Sequence, residues 1–278
     1  MKSLGLFSLL PFILFACDSA TPTTEPQYPN SDVFEHSWAM DRLWEDGQAE
    51  VATYDAQRSV YGRIRQFEYT YIVVKEEFNR EFNVKTDNYN RDDLFSVMKV
   101  NKFASFETEN YPYHYLTSVF LKREKPEQIY KMTHTGQEWC GNTFKQFQLN
   151  PTGYKYDYNS YFDNAGAGTM QIEGNDILWE DQLSYTLRAL KFQDGLTFQR
   201  TVAESEVNTR ARRPTYYQNA AFSVTDEGDT WLVTVKLDDR KTNTYSFQKA
   251  YPNLMLSQQS WDGFSLQLKK VSRYQYWR

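Results

Sequence analysis

Cysteine and histidine are both scarce in this chain of 278 residues. The two cysteines are Cys17 and Cys140, and the three histidines are His36, His114 and His134. If Cys17 is modified, Cys140 has no partner within the chain, so a disulfide framework is excluded. The histidines do not stand at a usual metal-ligand spacing. We therefore expect stability from apolar burial, with no metal and no other cofactor.

The motifs that identify common enzyme classes are also missing. The sequence has no Gly-x-Ser-x-Gly elbow, and Gly166 and Gly168 are not followed by the Gly-Lys-Ser/Thr of a phosphate loop. The acidic segment 84–93 lacks the ligand order and glycine of a calcium loop. A net charge of −5 argues against general binding to nucleic acid. These absences favour a non-catalytic protein and leave an enzyme as the alternative.

The sequence has no apolar run long enough to span a membrane. Its longest apolar run lies at the N-terminus. Residues 4–16 form a run of about 13 residues after the basic Lys2, whereas a membrane-spanning helix needs about 20 residues. The run ends in LFAC at residues 14–17, the pattern of a bacterial lipobox. This predicts a signal peptide of residues 1–16 and a lipidated Cys17. The alternative is an ordinary secretory signal, with Cys17 left unmodified.

Residues 17–32 are predicted to hold the lipidated cysteine and a flexible tether, because Pro22, Pro26 and Pro29 prevent a helix there. We expect the protein to be anchored to a membrane outside the cytoplasm, in the bacterial cell envelope. Asp18 favours the inner membrane in enterobacterial sorting, but other phyla use different rules. The choice between inner and outer membrane therefore stays open.

Residues 33–278 are predicted to form a single β-rich domain. Aromatic residues make up 17% of the chain, and they fit a pleated, half-buried surface. Apolar residues alternate with polar ones in 63–75 and 231–237, and Asp262-Gly263 is typical of a tight hairpin turn. The pattern predicts a large antiparallel curved sheet or an incomplete barrel. Two halves of the domain could meet near 164–180.

One or two short helices accompany this sheet. The first is predicted at 33–44, with Gly47 after its end. The second is predicted at 178–191, because apolar residues recur there at helical spacing and form a stripe that packs on the sheet. The stripe consists of Trp179, Leu183, Leu187 and Leu190.

The most distinctive segment for chemistry surrounds Cys140. A cysteine nucleophile needs a base, and His134 or His114 could supply it. A lone cysteine beside Trp139 is, however, also typical of a small apolar group in a core. The basic stretch 210–213 is typical of a solvated loop.

A cluster of tyrosines gives a second candidate site. Tyr111, Tyr113 and Tyr115 alternate with Pro112 and His114. Tyrosines offer an apolar body and a polar tip, so together with the nearby tryptophan at 139 they could rim a ligand-binding mouth. The alternative is a strand that enters the core with tyrosines at its edge.

Several segments resemble a family of uncharacterised lipoproteins from Bacteroidota. They are LWEDGQAEVATYDAQRSVYG (43–62), VKTDN (84–88), YPYHYLT (111–117) and QEWCG (137–141). Such chains often carry the automatic label "septum formation inhibitor Maf". True Maf proteins are α/β nucleotide pyrophosphatases, a fold that the β alternation does not match. The resemblance implies no established catalytic residues.

The sequence as a whole predicts a lipid-anchored envelope protein that is non-catalytic and binds an apolar or amphiphilic ligand or a protein partner. Its other partner is the membrane, through the anchor, and nucleic acid is not expected. Two alternatives remain: an envelope hydrolase that uses Cys140 with a histidine, and a purely structural assembly component.

Overall fold

The computed structural model describes residues 32–278. The predicted signal peptide, Cys17 and the tether before residue 32 lie outside the described residues. Within them, no helix combines the length and the apolar character needed to cross a bilayer.

The described residues form one large sheet of 16 strands. In chain order the strands are β1 (Ala49–Val60), β2 (Arg63–Asn79), β3 (Val84–Lys85), β4 (Leu94–Glu107), β5 (Pro112–Lys122), β6 (Lys125–Glu138), β7 (Gly141–Asn150), β8 (Gly153–Ser160), β9 (Ala167–Glu173), β10 (Ile177–Trp179), β11 (Thr197–Ala203), β12 (Tyr216–Asp226), β13 (Thr230–Lys236), β14 (Thr242–Gln248), β15 (Met255–Gln259) and β16 (Ser265–Tyr274).

The strand order shows a curved sheet that does not close. It runs from β10 through β16, continues with β1 and β2, and ends with β4 to β9, while β3 pairs with β2. The pairings are antiparallel except for β10 with β11. The two edge strands, β9 and β10, are joined by residues 174–176 alone, so the sheet must curve until its edges approach each other. The predicted curved antiparallel sheet is confirmed.

The period-2 alternation of the strands divides the sheet into a concave inner face and a solvated outer face. On β2, Tyr69, Tyr71 and Val73 are buried on the inner face, and on β13 so are Val233 and Val235. The inner face carries two large apolar clusters. Both pack against the single α-helix of the described chain, α1 (Glu180–Thr186).

Helix α1 is buried on every side. It is shorter than the predicted helix at 178–191, and residues 187–189 continue as a 3-10 turn. Leu183 and Leu187 belong to one apolar cluster, whereas Trp179 and Tyr185 belong to the other. The predicted stripe is therefore buried, but the helix lies between two clusters instead of resting on one sheet surface.

Because α1 is buried, its polar side chains need partners inside the protein. Gln182 donates through Nε2 to the carbonyl of Glu127 at 2.8 Å, and Thr186 donates to the carbonyl of Pro126 at 2.7 Å. Both carbonyls belong to the start of β6. These two bonds fix the helix against the inner face of that strand.

The helix predicted at 33–44 is wrong. Two short 3-10 helices, Trp38–Met40 and Arg42–Glu45, lie there instead. Asp41 separates them because its backbone is extended, with ψ 154°, and its side chain accepts from the Leu43 N–H. The segment packs into the core through Trp38 and Trp44.

A buried ion pair joins the 3-10 turn after α1 to the sheet. Arg188 binds Glu50 of β1 through two hydrogen bonds of 2.7 and 2.9 Å, and the two side chains are 3% and 5% exposed. The guanidinium also donates to the carbonyl of Pro252 and lies 5.1 Å from the ring centre of Trp38. Removal of one partner would leave the other charge buried and unpaired.

We expect Glu50→Gln to lower the free energy of unfolding by about 3 kcal/mol, because an uncompensated buried charge is strongly destabilising. Urea denaturation of the purified protein measures this. The matched control is Glu68→Gln, which breaks an exposed pair with Lys269 at 2.8 Å and should cost less than about 1 kcal/mol. Equal losses in the two variants would contradict the importance of the buried pair.

Candidate functional site

A cavity of about 420 Å³ lies on the concave side of the sheet. Its walls come from inward-facing residues of β1, β2, β4 and β5, from helix α1, and from the segments 204–215 and 258–264. Segment 204–215 is the connection between β11 and β12. The segment covers a side of the cavity that would otherwise be open to solvent.

Aromatic rings make up much of the buried lining. Phe67, Tyr69 and Tyr71 follow one another at every second position of β2, and Phe264 packs on Tyr69 with ring centres 6.1 Å apart. The Tyr69 and Tyr71 rings pack edge to face at 5.1 Å. Burial raises the pKa of both tyrosines well above the usual value, so both phenols stay neutral at physiological pH. This part of the lining is therefore aromatic, with neutral hydroxyl groups.

Two fully buried hydroxyl groups among the lining residues have no hydrogen-bond partner within residues 32–278. They belong to Tyr69 on β2 and Ser184 on α1, and both residues are more than nine-tenths buried. A buried polar group without a partner costs roughly 1–3 kcal/mol. A molecule inside the cavity that carries a polar atom would remove this cost.

Two carboxylates of the cavity are held in unusual protonation states. Burial raises the pKa of Glu180 to about 7, in spite of hydrogen bonds from the Ser205 N–H and from Asn243. Burial likewise raises the pKa of Glu206 to about 7, although Lys145 lies 2.8 Å from its carboxylate. Glu180, which has no cationic hydrogen-bond partner among the described residues, is therefore partly protonated near neutral pH.

Four arginines also line the cavity: Arg58, Arg210, Arg212 and Arg213. Arg58 donates to the carbonyl of Val207 at 2.9 Å. The other three are exposed residues of segment 204–215. The basic stretch 210–213, interpreted from the sequence as a solvated loop, is thus exposed as expected but also forms part of the cavity wall.

The predicted tyrosine cluster divides between the cavity and its surroundings. Tyr113 and Tyr115 line the cavity, and the hydroxyl of Tyr113 bonds that of Tyr61, another lining residue. Tyr111 and Trp139 are outside the lining and stack on each other with ring centres 6.1 Å apart. Trp139 is 76% exposed.

Cys140 lies in the turn between β6 and β7 and is exposed. The interpretation of this cysteine as a small apolar core group is therefore wrong. Its sulfur lies 3.5 Å from the hydroxyl of Tyr111. The turn follows β6 directly, so the thiol remains at the end of that strand, accessible to solvent.

Neither of the two candidate bases, His134 and His114, forms a hydrogen bond with Cys140. His134 is fully buried, and its Nδ1 bonds the Thr117 hydroxyl at 2.9 Å. Burial, with a further contribution from Lys145, lowers the pKa of His134 to about 3, so the ring is neutral. His114 lies on the exposed outer face of β5, opposite to Tyr113 and Tyr115. The hydrogen bonds of the described residues do not join the cysteine to either histidine.

The part of the chain that the structure describes contains no group of three or more His, Cys, Asp or Glu side chains suited to a metal ion. The charged groups of the cavity are instead arranged as carboxylates with protein partners and arginines without carboxylate partners. Such an arrangement offers charge and hydrogen-bond donors with which a ligand could be bound and oriented.

The raised pKa of Glu180 predicts a pH-dependent stability. In the folded protein the pKa is about 7 against 4.5 for the free side chain. The folded state binds the proton of Glu180 more tightly than the unfolded state does. The contribution of this group to the free energy of unfolding is therefore fully present below about pH 4.5 and is lost as the pH rises through 7. We expect Glu180→Gln, which cannot ionise, to gain about 2 kcal/mol relative to the unmodified protein between pH 5 and pH 8.

Urea denaturation at both pH values measures this difference, and Glu204→Gln is the control. Burial opposes ionisation of Glu204, but hydrogen bonds from Tyr217 and Lys241 outweigh it and hold its pKa below the usual value. Its contribution is therefore already complete at pH 5 and stays constant up to pH 8. A Glu180→Gln variant that shows the same pH dependence as the unmodified protein would contradict the raised pKa.

No protein-family model matches the chain, and no curated protein matches it. Among solved structures, the chain is similar to a beta-barrel-like protein of the domain of unknown function DUF1849 from Brucella abortus, with 11% identity and a TM-score of 0.48 over 82% of this chain and 98% of that chain. It is also similar to a DUF1089 family protein from Pseudomonas aeruginosa, with 10% identity and a TM-score of 0.37 over 66% of this chain and 87% of that one.

Proposed function

We propose that this chain is a non-catalytic, lipid-anchored protein of the bacterial cell envelope that binds an apolar or amphiphilic small molecule in its concave cavity. The observation that carries the proposal is the cavity itself, about 420 Å³ in volume, with aromatic rings on its buried side and charged groups in the rest of its wall. Ligand sites in proteins typically have volumes of roughly 300–1,000 Å³, with mostly apolar walls and a few polar groups that fix orientation.

The rigidity of the lining supports binding without a large rearrangement. Tyr69 and Tyr71 belong to the same apolar cluster as Leu183 of α1, so the rings are held from behind by packed side chains. A preformed cavity loses little conformational entropy when a ligand enters. The unpartnered hydroxyls of Tyr69 and Ser184 supply polar contacts that such a ligand would complete.

The surroundings of the candidate catalytic groups support a binding role over hydrolysis. Cys140 is not a residue of the cavity lining. The neutral, buried ring of His134 already bonds Thr117 through Nδ1. An acyl transfer at Cys140 would need a base in contact with the thiol, and the hydrogen bond of the thiol is to Tyr111 instead.

The lipid anchor rests on the sequence at residues 14–17 and on the proline-containing segment that follows. Attachment at Cys17 would place the cavity outside the cytoplasm, and the segment up to residue 32 would set its distance from the membrane surface. A ligand from the envelope, where amphiphiles are abundant, fits this location.

We expect Ala104→Phe to reduce binding of the neutral fluorescent probe N-phenyl-1-naphthylamine by at least about tenfold, since the added ring would occupy space that a ligand needs. Ala104 is a buried lining residue on β4. The control is Ser105→Phe, which adds the same ring on the outer face of the same strand. The measurement is fluorescence titration of the purified full-length protein, with a melting curve for each variant. Unchanged binding by a folded Ala104→Phe protein would contradict the proposal.

Lipidation is tested separately from binding. We expect Cys17→Ser to abolish incorporation of an alkyne-tagged fatty acid in cells and to release the protein from the membrane fraction, because the acyl chains are its expected attachment. Cys140→Ser serves as the matched cysteine control and should keep both properties. Persistent labelling of Cys17→Ser would exclude this cysteine as the anchor.

A further inference from the structure

We propose that the ligand of the cavity is an amphiphile with one anionic group, a carboxylate or a phosphate, which is bound by the arginines at the cavity mouth. This inference rests on the proposed function, because it specifies the ligand class of the same cavity. The observation behind it is that the carboxylates of the cavity wall have charged or hydrogen-bonding partners within the protein, whereas the arginines of the same wall form no ion pair with any described residue.

The arginines of the wall have few partners in the protein. None of the ion pairs within residues 32–278 involves Arg58, Arg210, Arg212 or Arg213. Arg58 and Arg213 each donate to a backbone carbonyl, at 2.9 and 3.4 Å. The guanidinium groups of Arg210 and Arg212 have no hydrogen-bond partner in the described chain. Each guanidinium has five N–H donors in a planar fork, so most of their donor capacity is unused.

The carboxylates of the same wall are engaged in the protein, beginning with the most buried two. Asp181 accepts from the Ser205 hydroxyl and from the Glu206 N–H, both at 2.8 Å, and lies 3.6 Å from the ammonium of Lys102. Glu206 binds the ammonium of Lys145 at 2.8 Å. Both acids are therefore paired from behind the cavity wall. Neither forms an ion pair with the arginines, although the charge of Arg212 acts on the carboxyl of Glu206 and opposes the rise in its pKa that burial causes.

The remaining carboxylates are also committed. Glu204 pairs with Lys241 at 3.2 Å and accepts from Tyr217. Glu180 accepts from Asn243 and from the Ser205 N–H. The fifth acid, Asp262, accepts the Phe264 N–H in an exposed turn. The acids thus have charged or hydrogen-bonding partners in the protein, whereas the arginines form no ion pair in the described part of the chain and bond at most a backbone carbonyl. Most of their N–H groups are therefore available to an anionic group.

The aromatic and the basic residues of the lining differ in burial. The Tyr69 and Tyr71 rings are buried, whereas Arg210, Arg212 and Arg213 are exposed. The apolar part of a ligand would therefore lie inward and its charged group outward, between the guanidinium groups. Arginine binds carboxylate and phosphate through two parallel hydrogen bonds, which gives direction as well as charge. A bare anion would gain nothing from the aromatic lining, so an amphiphile is the better fit.

The test is displacement of N-phenyl-1-naphthylamine from the purified full-length protein by three compounds with the same chain: dodecanol, dodecanoate and dodecyl phosphate. Inorganic phosphate is the fourth competitor. We expect the two anionic compounds to bind at least about tenfold more tightly than dodecanol, as charge-assisted hydrogen bonds would provide. The preference should decrease as salt increases, because the arginines are exposed.

A triple variant, Arg210→Gln with Arg212→Gln and Arg213→Gln, should lose the preference for the anionic compounds and keep its affinity for dodecanol. The control variant carries Lys155→Gln, Lys236→Gln and Lys269→Gln, which removes the same charge from exposed sites outside the cavity lining. It should keep the preference.

Each contrary outcome has a distinct meaning. Equal binding of the three chain compounds would overturn this inference and leave the proposed function intact. Failure of the probe and of every chain compound to bind would overturn both. Displacement by inorganic phosphate as strong as by dodecyl phosphate would replace the amphiphile with a bare anion. Loss of the preference in the control variant would assign it to net charge and not to segment 204–215.

Discussion

The burial of α1 inside the curved sheet is the constraint on which the rest of the structure depends. A sheet that curves until β9 and β10 approach each other encloses more space than one seven-residue helix fills. On one side of the helix, stacked rings such as Phe147 and Tyr156, 4.2 Å apart, complete the packing. On the other side the space between α1, β2 and segment 204–215 stays open and becomes the cavity. The position of the helix therefore sets both the core and the site.

The same helix explains why arginines lie in the cavity wall. The first turn of α1 carries Glu180 and Asp181, and a buried acid needs partners. Segment 204–215 supplies them through the Ser205 side chain and backbone N–H groups. The segment is thereby held across the concave face, which brings its arginines to the cavity. Structural hydrogen bonds of the acids thus position the cations that remain available to a ligand.

Much of the fold could be predicted from the sequence because long strands alternate regularly. β2 and β13 show a clear period of two, whereas β10 has only three residues and β11 has an irregular register near Arg200, so neither showed a usable pattern. The site was predicted only in part. Tyr113 and Tyr115 were identified as candidates from their alternation, but the sequence of 204–215 contains nothing that indicates its path across the concave face. That path depends on hydrogen bonds to α1, which are long-range in sequence. The resemblance to Bacteroidota lipoproteins remains a prediction.

The arginines of this protein lie in two contrasting environments. Arg188 is buried and binds Glu50 through a matched pair of hydrogen bonds, so its charge serves the fold. Arg210 and Arg212 are exposed beside acids that are already occupied, and a nearby carboxylate would have been the simplest way to neutralise them. Both arginines lie beside a buried aromatic lining. A ligand with an apolar body and an anionic group would make use of both features at once.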